Sequence, residues 1–195
     1  MYFRFHKQKE SVPFKEDLKL NPLSPYAVSK VASDYYIRMA GEAFGLPYII
    51  SRACNTFGRK TNNGFIVEYL VTQMLKNEPV YLGSPDAIRD LMFSEDHVNA
   101  YVTALKSDIK NEVFNFSTGS ATTMKDLALK IKELTGYQKE INFSFPPDYP
   151  SRPIVDSYLS LDASKAKNLL SWEPKISVEE GLKKTIDFWK KKLNL

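Results

Sequence analysis

A tyrosine and a lysine four positions apart, Tyr26 and Lys30, are the pair of side chains best suited to chemistry in this sequence. Residues four apart in a helix lie on the same face, so the ammonium group of Lys30 can approach the phenol of Tyr26. Because a nearby ammonium stabilises a phenolate, such a pair provides a general base for a substrate hydroxyl. The same spacing also occurs on ordinary solvated helices, so the pair alone leaves both interpretations open.

Two arginines and an asparagine are further candidates for ligand binding. A planar guanidinium suits bidentate recognition of phosphate, but the residues alone do not single out Arg89 or Arg152 for that contact. Arg89 could instead form an ion pair with Asp90 or Glu95, and Arg152 could simply be solvated in its proline-rich loop. Asn55 could donate hydrogen bonds to a ligand or serve as a turn residue.

The residues around the Tyr–Lys pair predict the helix that positions it. Ser24 is a suitable N-cap, Pro25 fits the first helical position, and Gly45 followed by Pro47 provides an end. Further along, helices alternate with short apolar strands, which predicts an α/β protein. The predicted strands span 48–53, 80–82, 88–93, 113–116, 141–145 and 158–161. The other predicted helices span 65–76, 94–106 with Ser94 as the cap, 123–136 with a Thr123–Asp126 capping box, 163–170 and 178–193.

Four phrases, in order, resemble motifs of the extended short-chain dehydrogenases, which are NAD-dependent nucleotide-sugar epimerases and 4,6-dehydratases. The first three resemble the YxxxK segment, R-x-x-N-x-x-G, and R-D-φ-φ-φ-V-x-D with φ apolar and serine replacing the usual valine. The fourth resembles the family's C-terminal signature. The phrases are NPLSPYAVSK at 21–30, RACNTFG at 52–58, RDLMFSED at 89–96, and LDASKA, WEP and EEGL between 161 and 182. The resemblance runs from about residue 13 to the end.

The resemblance implies a role for each candidate residue. Tyr26 would be the catalytic base, and Lys30 would hold the nicotinamide ribose and support Tyr26, so both would also bind the cofactor. Asn55 would donate hydrogen bonds to the substrate near its diphosphate, and Arg89 would pair with that diphosphate. Arg152 resembles a second arginine that reaches the nucleotide.

The implied fold is a partial Rossmann-like α/β fold with a C-terminal substrate-binding region. Residues 1–55 would be the remnant of the Rossmann-like domain, and 56–195 mainly the substrate-binding region, interleaved with the last sheet elements. The glycine-rich fingerprint for the NAD pyrophosphate is absent from the sequence. The serine or threonine that assists the tyrosine in this family also has no match, since residues 1–6 differ. We therefore expect a truncated chain or half of a split enzyme, inactive alone.

The implied function is that of an NAD-dependent epimerase or 4,6-dehydratase acting on a nucleotide-diphosphate sugar. The alternative is a non-catalytic module that binds nucleotide sugars or a partner chain. Family members commonly dimerise through the helices that correspond to 25–44 and 65–76. Since large apolar patches rarely stay bare, we expect self-association as a homodimer, or pairing with a separate N-terminal chain.

Composition excludes several other classes. A chain of 195 residues with 43% hydrophobic residues can bury a core, and its net charge of +4 is too mild and dispersed for a nucleic-acid binder. One cysteine fits a reducing compartment, and no apolar run reaches the roughly 20 residues of a membrane span. Without a signal-peptide pattern, we expect a cytoplasmic protein. His6 and His97 lack metal-ligand spacing, so we expect no metal site.

Overall fold

The computed structural model describes residues 12–22, 24–149 and 158–195, in which six helices alternate with eight short strands. The helices are α1 (Pro25–Phe44), α2 (Ile66–Leu75), α3 (Ser94–Lys106), α4 (Met124–Thr135), α5 (Ser164–Leu170) and α6 (Val178–Leu193). The strands are β1 (Ile49–Ala53), β2 (Asn55–Phe57), β3 (Val80–Tyr81), β4 (Ile88–Phe93), β5 (Glu112–Phe116), β6 (Ala121–Thr123), β7 (Ile141–Asn142) and β8 (Tyr158–Leu159). This order confirms the predicted α/β class.

Most strand pairs are parallel, which requires crossover connections between them. β1 pairs with β5, β2 with β4, β3 with β7 and β4 with β8, all in parallel, whereas β6 runs antiparallel to β4. The predicted division at residue 55 stays a prediction. None of the helices in the described ranges is long and apolar enough to cross a membrane.

The helix boundaries follow the sequence signals closely. Before α1, the Ser24 hydroxyl accepts a hydrogen bond from the Ala27 amide at 3.1 Å, and Gly45 ends the helix in the left-handed conformation at φ 66°. Before α4, the Thr123 hydroxyl accepts from the Asp126 amide at 2.9 Å. These local hydrogen bonds confirm the predicted ends of both helices.

Some predicted boundaries are wrong. Ser94 does not cap α3; Phe93 holds the cap position, because β4 runs directly into the helix, and the Ser94 hydroxyl donates to the Gly58 carbonyl at 3.4 Å. The strand predicted over 141–145 is only the two residues of β7, since β3 offers only two residues to pair with. β2 and β6 were not predicted, because three residues are too few to show a periodic pattern.

The core consists of two clusters of buried side chains. The first lies between α2, α4 and α6 and the face of β4 that carries Leu91 and Phe93, and the second surrounds β5 and α5. Leu70, Ile131 and Leu182 are fully buried in the first cluster, as are Phe114 and Phe116 in the second. The two clusters fix the positions of β2 and β4, on which the site described below is built.

Candidate active site

A cavity of about 710 Å³ lies between the start of α1, the ends of β1 and β2, the first turn of α2 and the start of β4. Four of the five predicted site residues line it: Tyr26, Lys30, Asn55 and Arg89. The fifth, Arg152, lies outside the described residues. The fold thus brings together side chains that are up to 63 positions apart in the sequence (26 to 89), while the role of each stays a prediction.

The Tyr–Lys pair occupies the first two turns of α1. The Lys30 ammonium nitrogen lies 5.6 Å from the centre of the Tyr26 ring, so both side chains share one face as predicted. Tyr26 is 60% exposed, which leaves its hydroxyl accessible to a ligand in the cavity. The geometry suits a phenol that exchanges a proton with a bound substrate.

A buried ion pair holds α1 against β1. The helix buries only Ala27, Asp34 and Ala40. Asp34 Oδ2 accepts hydrogen bonds from Arg52 Nη2 at 2.8 Å and Nε at 3.0 Å, while its Oδ1 accepts from Arg38 Nε at 2.7 Å. Arg52, the first residue of the R-x-x-N-x-x-G phrase, is 1% exposed and therefore positions the tyrosine helix.

Sequence reasoning missed the structural role of Asp34. Its only local signal is the arginine four positions later, a spacing that also predicts a solvated helical ion pair. The partner that buries it, Arg52, lies 18 residues away. Nothing in the sequence alone identifies that pairing.

Parallel pairing of β2 with β4 places Asn55 and Arg89 near each other. Asn55 lies opposite Leu91, and Arg89 precedes Leu91 by two positions, on the same face of the strand. Asn55 is exposed, lines the cavity, and is the first residue of β2, two positions after the end of β1. Arg89 Nη1 donates a hydrogen bond to the carbonyl of Ile88 at 2.7 Å. An amide and a guanidinium are thereby set on one wall.

The two acidic residues that the sequence suggests as ion-pair partners of Arg89, Asp90 and Glu95, have other partners. Asp90 is fully buried and its Oδ1 accepts a hydrogen bond from the Thr118 hydroxyl at 2.6 Å, which ties β4 to the loop after β5. Glu95 forms an ion pair with Lys184 at 3.0 Å. In the R-D phrase, the aspartate therefore supports the strand and the arginine lines the cavity.

The loop from 58 to 65 forms another wall, which sequence reasoning did not assign. Glu68 is fully buried, and its Oε1 accepts hydrogen bonds from the amides of Gly58 at 2.8 Å and Arg59 at 2.7 Å. The Arg59 guanidinium lies 3.8 Å from the centre of the Phe65 ring. Gly58 has φ 92°, and a Cβ there would lie 2.4 Å from the ring of Phe93, so the turn requires glycine. The glycine that ends the R-x-x-N-x-x-G phrase was the signal for this turn.

A histidine and a cysteine complete the lining. His97 Nδ1 lies 2.8 Å from the Thr56 hydroxyl, and the imidazole stacks on Tyr101 with ring centres 4.8 Å apart. Burial, and secondarily the charge of Arg59, lowers the pKa of His97, which favours the neutral ring. Burial raises the pKa of the Cys54 thiol well above its ordinary value, which favours the neutral thiol over the thiolate. Among the residues that the structure describes, no cluster of three or more His, Cys, Asp or Glu could hold a metal ion.

Comparison with known proteins points to the same family as the motifs whose residues line this cavity. The sequence profile of the GDP-mannose 4,6-dehydratase family matches residues 6–185. A putative UDP-glucose 4-epimerase of Methanocaldococcus jannaschii is 31% identical over 183 residues, which cover 92% of this chain and 57% of that protein.

Two solved structures share the fold. The UDP-glucose 4-epimerase of Thermotoga maritima, in complex with UDP-glucose, has a TM-score of 0.84 and 34% identity over 93% of this chain and 58% of its own. The dTDP-glucose 4,6-dehydratase of Bacillus anthracis, in complex with NAD, has a TM-score of 0.84 and 27% identity over 93% of this chain and 57% of its own. This chain therefore spans little more than half the length of these relatives.

The profile covers most of the chain, and residues from three of the four sequence motifs line one cavity. Structures from both the epimerase and the dehydratase branches superpose on the same fold. The chain belongs to the GDP-mannose 4,6-dehydratase family, within the NAD-dependent extended short-chain dehydrogenases.

Proposed function

We propose that this chain forms the nucleotide-sugar-binding part of an NAD-dependent epimerase or 4,6-dehydratase. The observation that carries the proposal is the joint placement of Tyr26, Lys30, Asn55 and Arg89 on one cavity. Its volume of about 710 Å³ lies within the range typical of small-molecule sites. One ligand that joins a sugar hydroxyl to a diphosphate would need both a base and cationic donors, and this cavity offers both.

In the proposed reaction Tyr26 takes the proton of the sugar 4-hydroxyl, and Lys30 stabilises the phenolate before that transfer. Asn55 and Arg89 hold the diphosphate, with Arg152 as a proposed contact to the nucleotide. NAD, when bound, supplies the acceptor for the hydride of the same carbon. The product of this step is a 4-keto sugar.

The fate of the 4-keto sugar distinguishes the two reaction classes. Return of the hydride to the opposite face gives an epimer, and the enzyme is then an isomerase. Loss of water across C5 and C6, followed by return of the hydride to C6 and of a proton to C5, gives a 4-keto-6-deoxy sugar, and the enzyme is then a lyase. Relatives of both kinds match this chain to a similar extent, so the proposal covers both.

The described residues suit one end of NAD better than the other. The exposed Tyr26 hydroxyl and Lys30 ammonium can bind the ribose next to the nicotinamide. Within the described ranges, no turn from a strand into a helix has the G-x-G-x-x-G spacing that lets a backbone approach the pyrophosphate. We therefore propose that residues 1–195 by themselves bind the nucleotide sugar but do not catalyse turnover.

Partners are part of the proposal. Helix α1 exposes Tyr35, Tyr36 and Phe44 by 60%, 68% and 78%, an apolar surface that supports pairing of two copies or docking of a separate cofactor-binding chain. A cytoplasmic location fits the lone buried cysteine. A strictly monomeric chain in light scattering at high protein concentration would contradict the self-association.

Titration calorimetry tests the binding proposal with UDP-glucose, dTDP-glucose and GDP-mannose on the 195-residue chain. We expect one of them to bind, Arg89→Ala to weaken that binding by roughly 1.5–3 kcal/mol, and Tyr26→Phe to change it little. NAD should bind poorly, because its phosphate cradle is not in this sequence. Tight NAD binding, or equal affinity of the parent and Arg89→Ala, would show that the site is assigned wrongly.

The alternative function is a binding module without catalysis. It is supported by the same cavity together with the missing match to the assisting serine or threonine. Because the isolated chain is expected to be inactive under both functions, the test is incubation with NAD, the bound nucleotide sugar and a cofactor-binding chain that carries the glycine-rich fingerprint. Formation of an epimer or a 4-keto product would contradict the module, whereas binding without product would support it for this chain.

A further inference from the structure

Arg59 brings a further positive charge to the cavity that Arg89 lines, and the sequence motifs give it no role. Its guanidinium is held in place by described neighbours. Arg59 Nη1 donates a hydrogen bond to the Thr56 carbonyl, and the guanidinium carbon lies 3.8 Å from the centre of the Phe65 ring. Burial lowers the pKa of His97, and the nearby charge of Arg59 lowers it further.

These neighbours place the guanidinium at the site cavity. Arg59 also borders a smaller cavity of about 300 Å³ beside α6. Thr56, Phe65 and His97 all line the larger cavity, and none of them lines the smaller one. Phe65 is 46% exposed and Arg59 is partly exposed, so a ligand in the larger cavity can reach the stacked pair.

The charge of Arg59 is not neutralised by any described carboxylate. Glu68 accepts a hydrogen bond from the backbone amide of Arg59 at 2.7 Å, not from its guanidinium, and Glu95 forms its ion pair with Lys184. A guanidinium has five N–H donors, and the hydrogen bond to Thr56 uses one of them. A guanidinium that is already oriented and has donors left over suits an anionic ligand, because little side-chain freedom is lost on binding.

We propose that Arg59 is a second cationic contact for the diphosphate of the bound nucleotide sugar, acting beside Arg89. This inference rests on the proposed function and adds a binding residue that the family resemblance does not imply. A diphosphate carries more than one negative charge, so a single arginine leaves it partly uncompensated. Thr56, which holds the guanidinium, directly follows Asn55, the proposed amide donor to the same diphosphate.

Three variants test this role. Arg59→Gln removes the charge and the planar fork but keeps a polar side chain, whereas Arg59→Lys keeps the charge and loses only the fork. Lys60→Gln is the matched control, because it removes one positive charge at the next position, from an exposed residue that does not line the site cavity. Thermal melting of each variant verifies that the fold is kept.

Titration calorimetry would compare the parent and the variants with the nucleotide sugar that binds among UDP-glucose, dTDP-glucose and GDP-mannose, and with its nucleoside diphosphate. We expect Arg59→Gln to weaken both ligands about fivefold to tenfold, because a charge-assisted contact to phosphate is lost. Arg59→Lys should weaken both about twofold to fourfold, and Lys60→Gln should leave both within about twofold. Equal losses for the two ligands assign the contact to the diphosphate, which both of them carry.

Several results would overturn the inference while the proposed function stands. Unchanged affinity in Arg59→Gln would mean that the guanidinium only holds the loop, and a loss confined to the nucleotide sugar would assign the contact to the sugar. An equal loss in Lys60→Gln would reduce the effect to the net charge of the loop. If Arg59→Gln does not fold, Arg59→Lys decides, and unchanged affinity there overturns the inference.

Failure of the proposed function would look different. The parent would then bind neither the nucleotide sugars nor the nucleoside diphosphates, and the inference would fail with it.

Discussion

The two apolar regions of this molecule differ in how completely the chain covers them. Around β4, helices α2, α4 and α6 leave Leu70 and Leu182 with 0% exposure. Beside β1, helices α1 and α3 leave Tyr36, Phe44 and Leu105 exposed by 68%, 78% and 86%. The first region is a buried core. The second region is equally rich in apolar side chains, but many of them remain exposed to solvent.

The difference shows where apolar surface of the described residues remains exposed. A groove of about 660 Å³ runs along β1 and α3, with Ile37, Tyr48 and Leu105 among its lining residues. Among the described residues β1 has a single strand neighbour, β5. Large exposed apolar patches often mark contact surfaces. Tyr26 and Lys30 lie at the start of α1, where this region borders the buried core around β4. The candidate catalytic pair is therefore on the more exposed side of the cavity.

The largest expected effect breaks the link that holds α1. Asp34→Ala should lower the free energy of unfolding by about 3–5 kcal/mol, because it leaves the guanidinium of Arg52 buried without its carboxylate. Denaturant unfolding followed by circular dichroism measures this change. Glu179→Ala is the control, since its ion pairs with Lys130 and Lys183 are exposed and should matter little.

The same variant also tests the comparison locally. Amide hydrogen exchange should accelerate most in α1, because the helix buries so few other side chains. Equal acceleration in α2 and α1 would mean that the two regions unfold as one unit. The two regions would then differ in the exposure of their apolar side chains but not in local stability.

A matched pair of leucines measures the contrast itself. Leu70→Ala in α2 should lower the free energy of unfolding by about 2–5 kcal/mol, whereas Leu105→Ala in α3 should change it by less than about 0.5 kcal/mol. Both changes remove the same atoms from a helix, so only the surroundings differ. A large loss for Leu105→Ala in the isolated chain would show that α3 is already covered in solution, as in a dimer.

The smallest expected effect concerns pH and His97. Because burial lowers the pKa of His97, the folded state binds fewer protons than the unfolded state once the pH falls below the ordinary histidine value of about 6.5. Stability should therefore fall as the pH drops from 7.5 to 5, and His97→Gln should reduce that fall. Staying above pH 5 keeps the lowered pKa values of Asp162 and Glu179 out of the measurement. An identical pH profile for the variant would contradict the assignment.

Much of the secondary structure could be predicted, because its signals are local. Ser24 and Gly45 bound α1, and Thr123 with Gly136 bound α4, through hydrogen bonds within a few residues of each helix end. The Tyr–Lys spacing likewise fixes that both side chains share one face. The short strands β2 and β6 could not be predicted, since their pairing with β4 depends on residues far away in the chain.

By itself the sequence determined the α/β class, the helix that carries Tyr26 and Lys30, and the order of motifs that identifies the family. Only the tertiary structure decided that Asn55 and Arg89 share a cavity with that pair, that Arg52 anchors the tyrosine helix, and that a buried Glu68 accepts hydrogen bonds from the amides of Gly58 and Arg59. The physical reason is the separation in sequence over which each interaction acts. Caps and periodicity act over a few residues, whereas the alignment of parallel strands and the burial of a charge depend on partners brought together only by folding.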